Sequence, residues 1–429
     1  MQLKDKLGEL VQAGLIKVGP ADLREAPRRS AHGIDSVVPG RVLTTAHGPV
    51  FVGEDRRPAD AAHGGVPLAE ALSLDRRHLA TLALDDGLGD LDLSRAVFID
   101  TETTGLGLGT GTYVFLVGLG FFEGGDYVTR QYFLRDLDEE PAFLTALQAD
   151  LDRFEAIVTF NGKAFDLPLL ENRFVLSRRR PRLPDDRHLD LRHAAARLWR
   201  ERLTSCSLSS LESGILGFAR EGDVPGELIP LLYFDYLHSG DARIIEPVFT
   251  HNRADILSLT ALTVKAVAVV ADPLGDAASD PADRFSVARL LERLNRLEDS
   301  LACYELALAA GPAPTTREKA ARHLARLYKR VGRFEQAVGV WRRLVQEPGW
   351  TVHAHVELAK YYEHRTRDYD QAIAVVQAAL DRLATGAALA GIGAHSPLAH
   401  GLVDPPDDSE SRELLHRLTR LRAKKARRA

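Results

Sequence analysis

The segment 96–102 constrains the fold of this chain more than any other. Ala96-Val97-Phe98-Ile99 is a short apolar run that leads directly into Asp100-Thr101-Glu102. An apolar run of this length is typical of a strand that is buried on both faces of a sheet. The segment therefore predicts a central strand that ends in two carboxylates one residue apart, and side chains with that spacing share one face.

The elements that follow indicate a mixed α/β layer fold. Two strands, a helix, a strand and a second helix are predicted, in this order, at residues 112–122, 127–134, 141–154, 156–160 and 165–176. Gly124 and Gly125 provide the hairpin turn between the first two of these strands, and Pro141 marks the helix start. Three strands, a helix, a strand and a helix fit helices packed on one central sheet.

The composition excludes several classes of protein. The chain has 55 Lys+Arg against 60 Asp+Glu, so it is not a basic nucleic-acid coat and any polyanion site must be local. Cys206 and Cys303 stand far apart, outside any Cys/His cluster, which argues against disulfides or structural zinc and favours the cytosol. The longest apolar run, residues 113–122, is about half of the ~20 residues that a membrane helix needs. A cytoplasmic protein with no membrane partner is expected.

Changes of pattern divide the chain into four regions. They are residues 1–92, 93–272, 284–384 and 385–429. The first region is weakly patterned, with a candidate hairpin at 41–52 and a short helix at 74–84, and its role stays open. The second holds the α/β pattern, the third is helical, and the fourth combines an Ala/Gly/Pro-rich segment with a basic tail.

The helical region contains an internal repeat. Similar helix starts at Leu297, Phe334 and Tyr369 are offset by 37 and 35 residues, close to the 34-residue period of tetratricopeptide (TPR) helix pairs. One helical hairpin cannot bury its apolar face alone, so about three stack into a superhelix. An all-α TPR-like superhelix is therefore expected, either to dock a protein partner or to brace the α/β domain.

Three segments carry residues suited to a metal site, although each has a plainer interpretation. Asp100 and Glu102 would repel each other unless a hard cation such as Mg²⁺ or Mn²⁺ lay between them; the alternative is a solvated turn. Asp166 follows the next predicted strand, where Asp is also a routine helix cap. His251 and Asp255 lie four residues apart in a predicted helix, and so on one face of it. This spacing suits a metal ligand with a base beside it, and it is equally that of a surface His/Asp pair.

Together these segments resemble the DEDD exonuclease superfamily, whose fold is ribonuclease-H-like, and more closely the YprB-type ribonuclease-H-like family. The resemblance is carried by FIDTETTGL at 98–106, NGKAFD at 161–166, HLDL at 188–191, SLSSLE at 207–212 and HNRADILSL at 251–259. It implies a ribonuclease-H-like mixed sheet with flanking helices and a two-metal 3′–5′ exonuclease that uses Mg²⁺ or Mn²⁺.

The resemblance also implies roles for individual residues. The implied metal ligands are Asp100, Glu102, Asp166 and Asp255, and the implied nucleic-acid contacts are Thr103, Leu106 and Asn161. Asp100 would bridge the two ions, Glu102 and Asp255 would complete one ion's site, and Asp166 would support the other. His251 would be the general base that takes a proton from the attacking water.

Two residues leave alternatives open. In the superfamily the base is a His five positions before the last Asp or a Tyr four positions before it, whereas His251 stands four positions before Asp255. Because a helix advances about 100° per residue, His251 could act from the tyrosine position, orient a water molecule or be a weaker base. Asp190 is either an auxiliary acid or, as we favour, a helix cap before Arg192.

Two basic segments are candidate contacts to nucleic acid. The first forms either a phosphate-facing ridge or a solvated loop, and it comprises Arg178 to Arg182 together with Arg197, Arg200 and Arg202. The tail at 417–428 either contacts nucleic acid or only aids solubility.

The sequence therefore predicts an exonuclease that acts on a single-stranded 3′ end of DNA or RNA and is fused to a TPR-like docking module. The alternative from another class is a catalytically weak ribonuclease-H-like/TPR scaffold that binds nucleic acid or protein. A structure-specific endonuclease on the same two metals is a further alternative. The presence of all four acids favours an enzyme.

Overall fold

A computed structural model describes residues 32–105, 111–346, 352–393 and 408–428. It contains a seven-stranded mixed sheet, in the order β1-β2-β7-β6-β5-β8-β9, and a separate hairpin of β3 and β4. The strands are β1 Gly40–Thr45, β2 Gly48–Pro58, β3 Ala62–His63, β4 Val66–Pro67, β5 Ala96–Thr103, β6 Val114–Glu123, β7 Asp126–Phe133, β8 Ala156–Thr159 and β9 His188–Asp190. Strand β5 pairs antiparallel with β6 and parallel with β8, which confirms the predicted mixed sheet.

Helices cover both faces of this sheet. They are α1 Ile34–Val37, α2 Arg76–Ala83, α3 Glu140–Leu151, α4 Asp166–Leu176, α5 Leu191–Trp199, α6 Leu208–Leu211, α7 Ile229–Ser239 and α8 Glu246–Ala271. The side chains of β5 alternate between two cores, with Val97 and Ile99 in one and Phe98 in the other. This alternation explains the unbroken apolar run at residues 96–99, because neither face of the strand meets solvent.

Two strands come from the region that the sequence placed before the α/β domain. The predicted hairpin at 41–52 is present as β1 and β2, and β2 pairs antiparallel with β7 along residues 51–58. The sheet therefore begins at Gly40 rather than at residue 93. The pairing joins segments about 75 residues apart in sequence, and such non-local contacts leave no local pattern from which to predict them.

Helix α8 packs unusually close to the sheet because two glycines face it. A Cβ at Gly118 would lie 2.2 Å from Asn252 Oδ1, and a Cβ at Gly120 would lie 2.3 Å from Ile256 Cγ2. Within the part of the chain that the structure describes, Ala242–Ala271 is the one stretch long and apolar enough to cross a membrane, with 78% of its apolar window buried. Its apolar character thus matches its place as a core helix between the sheet and its neighbours.

The C-terminal region is helical throughout the residues that the structure describes. Its helices are α9 Pro281–Arg293, α10 Leu297–Ala309, α11 Pro314–Arg330, α12 Phe334–Leu344, α13 Val352–Tyr361, α14 Tyr369–Gly393 and α15 Asp408–Ala426. Helices begin at all three predicted repeat starts. Successive hairpins are linked at matching positions, since Arg330 binds Asn295 at 2.9 Å and Arg333 binds Glu298 at 2.8 Å, each across 35 residues. The region is consistent with a helical-repeat module.

The repeats and the α/β domain pack against each other. One apolar cluster continues from Phe98 in the sheet through α8 to the repeat helices. Around it, Arg202 binds the buried Asp283 at 3.0 Å, and Lys319 binds Glu201 at 2.8 Å. Helix α9, which follows α8 along the chain, packs on α5.

The basic tail forms helix α15, which packs on α14. Glu363 has a side chain that is 0% exposed, and it accepts bonds from Arg420 at 2.8 Å, from Lys424 at 2.7 Å and from Arg417 at 3.4 Å. Lys425 pairs with Asp370. Four cations of this candidate nucleic-acid segment are therefore paired with acidic groups of the repeats.

Candidate active site

The first two acids lie within the last four residues of β5. The strand continues to Thr103, with a shift of register between Glu102 and Thr103, so Asp100 and Glu102 alternate with Thr101 along the strand. Asp100 lies opposite Gly118 on β6, and Gly118 lies opposite Gln131 on β7. These three residues form one row across the sheet with a glycine at its centre.

Asn252 of α8 fills the space above this glycine. Its Nδ2 donates to Asp100 Oδ2 at 2.9 Å, and its Oδ1 accepts from Gln131 Nε2 at 2.9 Å. Gln131 Nε2 also donates to the carbonyl of Phe249 at 2.8 Å. Asn252 is 0% exposed, so these bonds fix both its amide orientation and the position of the Asp100 carboxylate.

His251 and Asp255 lie on successive turns of α8 beside Glu102. His251 Nε2 is 3.3 Å from Asp255 Oδ2 and 4.0 Å from Glu102 Oε1. One potential ligand atom from each of these residues lies within 4.8 Å of the other two. The four-residue spacing of the His and the Asp therefore directs both side chains to the same acidic cluster.

Asp166 is the first residue of α4, and it is buried. Thr101 Oγ1 donates to its Oδ1 at 2.5 Å, so the residue between the two β5 acids also connects the strand to the third acidic segment. Burial raises the pKa of Asp166 to about 6. Asp166 lies close enough to Asp100 and Glu102 to raise the pKa of both carboxyls.

The cluster is electrostatically suited to a divalent cation. Burial raises the pKa values of the Asp100 and Glu102 carboxyls well above their ordinary range, and the other carboxylates of the cluster raise them further. Burial also raises the pKa of Asp255, although Arg220 and His251 oppose that shift. Keeping these groups ionised costs free energy, which a bound cation would offset. Carboxylate oxygens with one imidazole are donors that fit Mg²⁺ or Mn²⁺.

Sequence reasoning missed two residues that surround the His. Asp223 Oδ1 lies 2.7 Å from His251 Nδ1, and Arg220 donates to Asp255 Oδ1. His251 Nδ1 thus has a carboxylate partner, while its Nε2 faces Glu102 and Asp255. Both missed residues follow α6 in a stretch without periodic pattern, so the only signal was their charge.

An open cavity of about 550 Å³ adjoins the acids. Its lining includes Asp100, Phe160, Asn161, Arg192, Arg220, Asp223, His251 and Asp255, together with residues 207–209 and 224–226. Asn161 adopts a left-handed φ of 72°, and its Oδ1 accepts from Arg192 at 2.6 Å. Thr103 is buried and donates to the carbonyl of Gly105 at 2.8 Å rather than lining this cavity. Leu106 lies outside the described residues.

Asp190 is a helix cap, as favoured. It accepts from the backbone N–H of Arg192 at 3.1 Å. It also accepts from the backbone N–H groups of Asn161 at 2.9 Å and of Lys163 at 3.2 Å. The cap of α5 therefore also fixes the loop between β8 and α4, which leads to Asp166.

Three arginines of the candidate ridge bind other parts of the protein. Arg182 pairs with Asp152 at 2.6 Å, and Arg197 donates to the carbonyl of Leu82 at 2.7 Å. Arg202 is held by Asp283 at the junction with the repeats. These three guanidiniums have protein partners, which could not be foreseen from a run of basic residues. Arg192 instead is the basic residue of α5 that lines the cavity.

Comparison with known proteins agrees with this geometry. The model of the RNase_H superfamily matches residues 97–267, a span that holds all four acids and His251. A protein of Bacillus subtilis (strain 168), named "Uncharacterized protein YprB", is 32% identical over 286 residues, which make up 66% of this chain and 68% of that protein. The superfamily match gives the chain a nuclease-type fold. The chain belongs to the YprB-type ribonuclease-H-like family.

Proposed function

We propose that this protein is a metal-dependent 3′–5′ exonuclease of the DEDD type that hydrolyses phosphodiester bonds of nucleic acid with two Mg²⁺ or Mn²⁺ ions. One observation carries the proposal: Glu102, His251 and Asp255 converge within 4.8 Å beside a cavity that Asp100 also lines. When bound, divalent ions would supply Lewis-acid polarisation of the phosphate oxygens. Asp100, Glu102, Asp166 and Asp255 would hold them.

The residues of the chain would position and deprotonate the nucleophile. His251 Nε2 faces the acids, and Asp223 holds its Nδ1, so the ring can take a proton from a water molecule in the cavity. Asn252 fixes Asp100, and Thr101 fixes Asp166, so neither carboxylate needs to reorient when substrate arrives. This arrangement supports His251 as the base despite its spacing.

The cavity supports a terminal nucleotide as the bound unit. Its volume lies within the range of about 300–1,000 Å³ that is usual for small-ligand sites. Arg192 and Asn161 line the cavity and offer donors to phosphate or sugar oxygens. We propose a single-stranded 3′ end as substrate, with Thr103 and Leu106 as further contacts, in a cytoplasmic protein whose TPR-like repeats dock a protein partner.

The test uses the full chain and three forms of one oligonucleotide: labelled at the 5′ end, labelled at the 3′ end, and circular. With Mg²⁺ or Mn²⁺ we expect the 5′ label to give a descending ladder, the 3′ label to give mononucleotides first, and the circle to stay intact. Asp100→Asn should abolish turnover, whereas Asp186→Asn, an exposed acid outside the cavity, should not. DNA and RNA forms run side by side identify the sugar.

Two outcomes would refute the proposal. Cleavage of the circle would indicate an endonuclease. Equal turnover by the wild type and Asp100→Asn, or none from either with any metal, would favour a nucleic-acid-binding scaffold.

A further inference from the structure

A buried chain of hydrogen bonds begins in the N-terminal hairpin of β3 and β4. His63 Nε2 lies 2.8 Å from Ser258 Oγ, and Ser258 Oγ donates to Glu212 Oε1. A hydroxyl has one proton, and here Glu212 receives it, so His63 must donate to Ser258 through Nε2–H. The three side chains are buried, which makes an unpaired member of the chain costly.

Glu212 connects this chain of hydrogen bonds to Arg220. Both of its carboxylate oxygens accept from the guanidinium, Oε2 from Nε at 2.8 Å and Oε1 from Nη2 at 2.6 Å. A bidentate pair of this kind fixes the plane of the guanidinium. Nη2 then donates to Asp255 Oδ1, which leaves Oδ2 of Asp255 directed at His251 Nε2.

Close packing holds the hairpin against the segment that carries Glu212. Gly64 has a φ of +55°, and a Cβ there would lie 2.6 Å from Leu216 Cβ. The ring centroid of His63 is 4.3 Å from that of Phe218. Leu216 is the last residue of the turn of π-helix that begins at Glu212, and Phe218 follows it by two residues, so hairpin and turn are joined both by van der Waals contact and through Ser258.

We propose that His63, Ser258, Glu212 and Arg220 form a positioning network that aims Asp255 Oδ2 at the metal site, so the N-terminal region is part of that site. The inference rests on the proposed function, because Asp255 matters here as a metal ligand. None of the four residues needs to touch substrate through this network. Their effect would reach the ion through the orientation of one carboxylate.

The test measures Mn²⁺ binding to the full chain by calorimetry without nucleic acid. Ser258→Ala removes the central hydroxyl with minimal change of volume, and His63→Ala removes the donor that holds it. Loss of a residue that orients a metal ligand typically weakens metal affinity about 10–100-fold, and we expect a change in that range from both variants. His63→Gln, which can place an amide N–H near the former Nε2, should recover most of the affinity.

A matched control separates positioning from general stability. Thr263→Val removes a buried hydroxyl from the same helix, where the Thr263 hydroxyl donates to the carbonyl of Leu259 at 2.8 Å. It should leave Mn²⁺ affinity unchanged even if it lowers the melting temperature. Unchanged affinity in Ser258→Ala would overturn the inference, as would equal losses in Ser258→Ala and Thr263→Val.

The two proposals fail in different ways. If the wild type binds Mn²⁺ but hydrolyses no oligonucleotide, the exonuclease proposal fails while the variants still test the network. If the wild type binds no Mn²⁺, both fail. If His63→Ala does not fold, Ser258→Ala against Thr263→Val decides the question alone.

Discussion

Gly118→Ala should disable the site from a strand that carries none of the proposed ligands. The new methyl group would lie 2.2 Å from Asn252 Oδ1 and 3.0 Å from its Nδ2, well inside van der Waals contact. Asn252 cannot simply move aside, because it is fully buried and bonded to both Asp100 and Gln131. The substitution therefore forces either α8 away from the sheet or the Asn252 amide away from Asp100.

The magnitude follows from these two responses. Overfilling a packed core costs roughly 1–3 kcal/mol, and a hydrogen bond to a charged group contributes about 1.5–3 kcal/mol. Either response lowers the free energy of unfolding, measured in urea with EDTA present, by about 1–3 kcal/mol. Because Asp100 also loses its fixed position, turnover should fall about 10–100-fold at temperatures where the variant stays folded.

Gly339→Ala is the matched control. Gly339 lies in helix α12, and a Cβ there would have no neighbour within 4 Å. The same substitution should therefore stabilise the protein by about 0.5–1 kcal/mol, since glycine is unfavourable within helices. Equal stability of Gly118→Ala and the wild type, with undiminished turnover, would refute the packing argument.

Three further predictions concern other parts of the chain. Asp223→Asn should lower kcat about tenfold with little change in KM, because the His251 ring loses the carboxylate that orients it; an unchanged kcat in steady-state assays would contradict this. Burial raises the pKa of Asp166 from 3.8 to about 6, so in EDTA its ionisation destabilises the fold as pH rises through this window. Asp166→Asn should remove this loss of stability, which melting temperatures measured against pH would show. Identical pH dependence in the variant and the wild type would contradict the reasoning. Glu363→Gln should lower the free energy of unfolding by about 1–3 kcal/mol, a small value for a buried carboxylate because its partners Arg420 and Lys424 are 41% and 39% exposed to solvent. The variant should also be cleaved by trypsin within α15, and cleavage no faster than in the wild type would contradict this.

The sequence predicted those parts of the site that are encoded within short segments. Asp100 and Glu102 directly follow the apolar run of β5, and the spacing of His251 and Asp255 matches the helix period, so their convergence could be expected once the fold was recognised. The role of Asn252 could not be predicted from the sequence, because its partner Gln131 lies more than 100 residues away.

What could not be predicted depends on contacts between distant segments. Arg220 shows no local pattern, and its position is set by Glu212 and Asp255 together. The basic tail has the composition of a nucleic-acid arm, yet three of its cations pair with the buried carboxylate of Glu363. Composition reports the charge of a segment but not its partners, so the contacts made by the tail and by the candidate arginine ridge could not be predicted from the sequence.

The apolar cluster shared by the sheet and the repeats has a consequence for how the molecule melts. Because Phe98, α8 and the repeat helices bury their side chains in one another, neither part can open without exposing apolar surface of the other. A chain cut after α8 would lose the cover of that surface, and the pairs Arg202–Asp283 and Lys319–Glu201 would vanish with it. Heat should therefore unfold the nuclease fold and its repeats as one cooperative unit, in a single calorimetric transition.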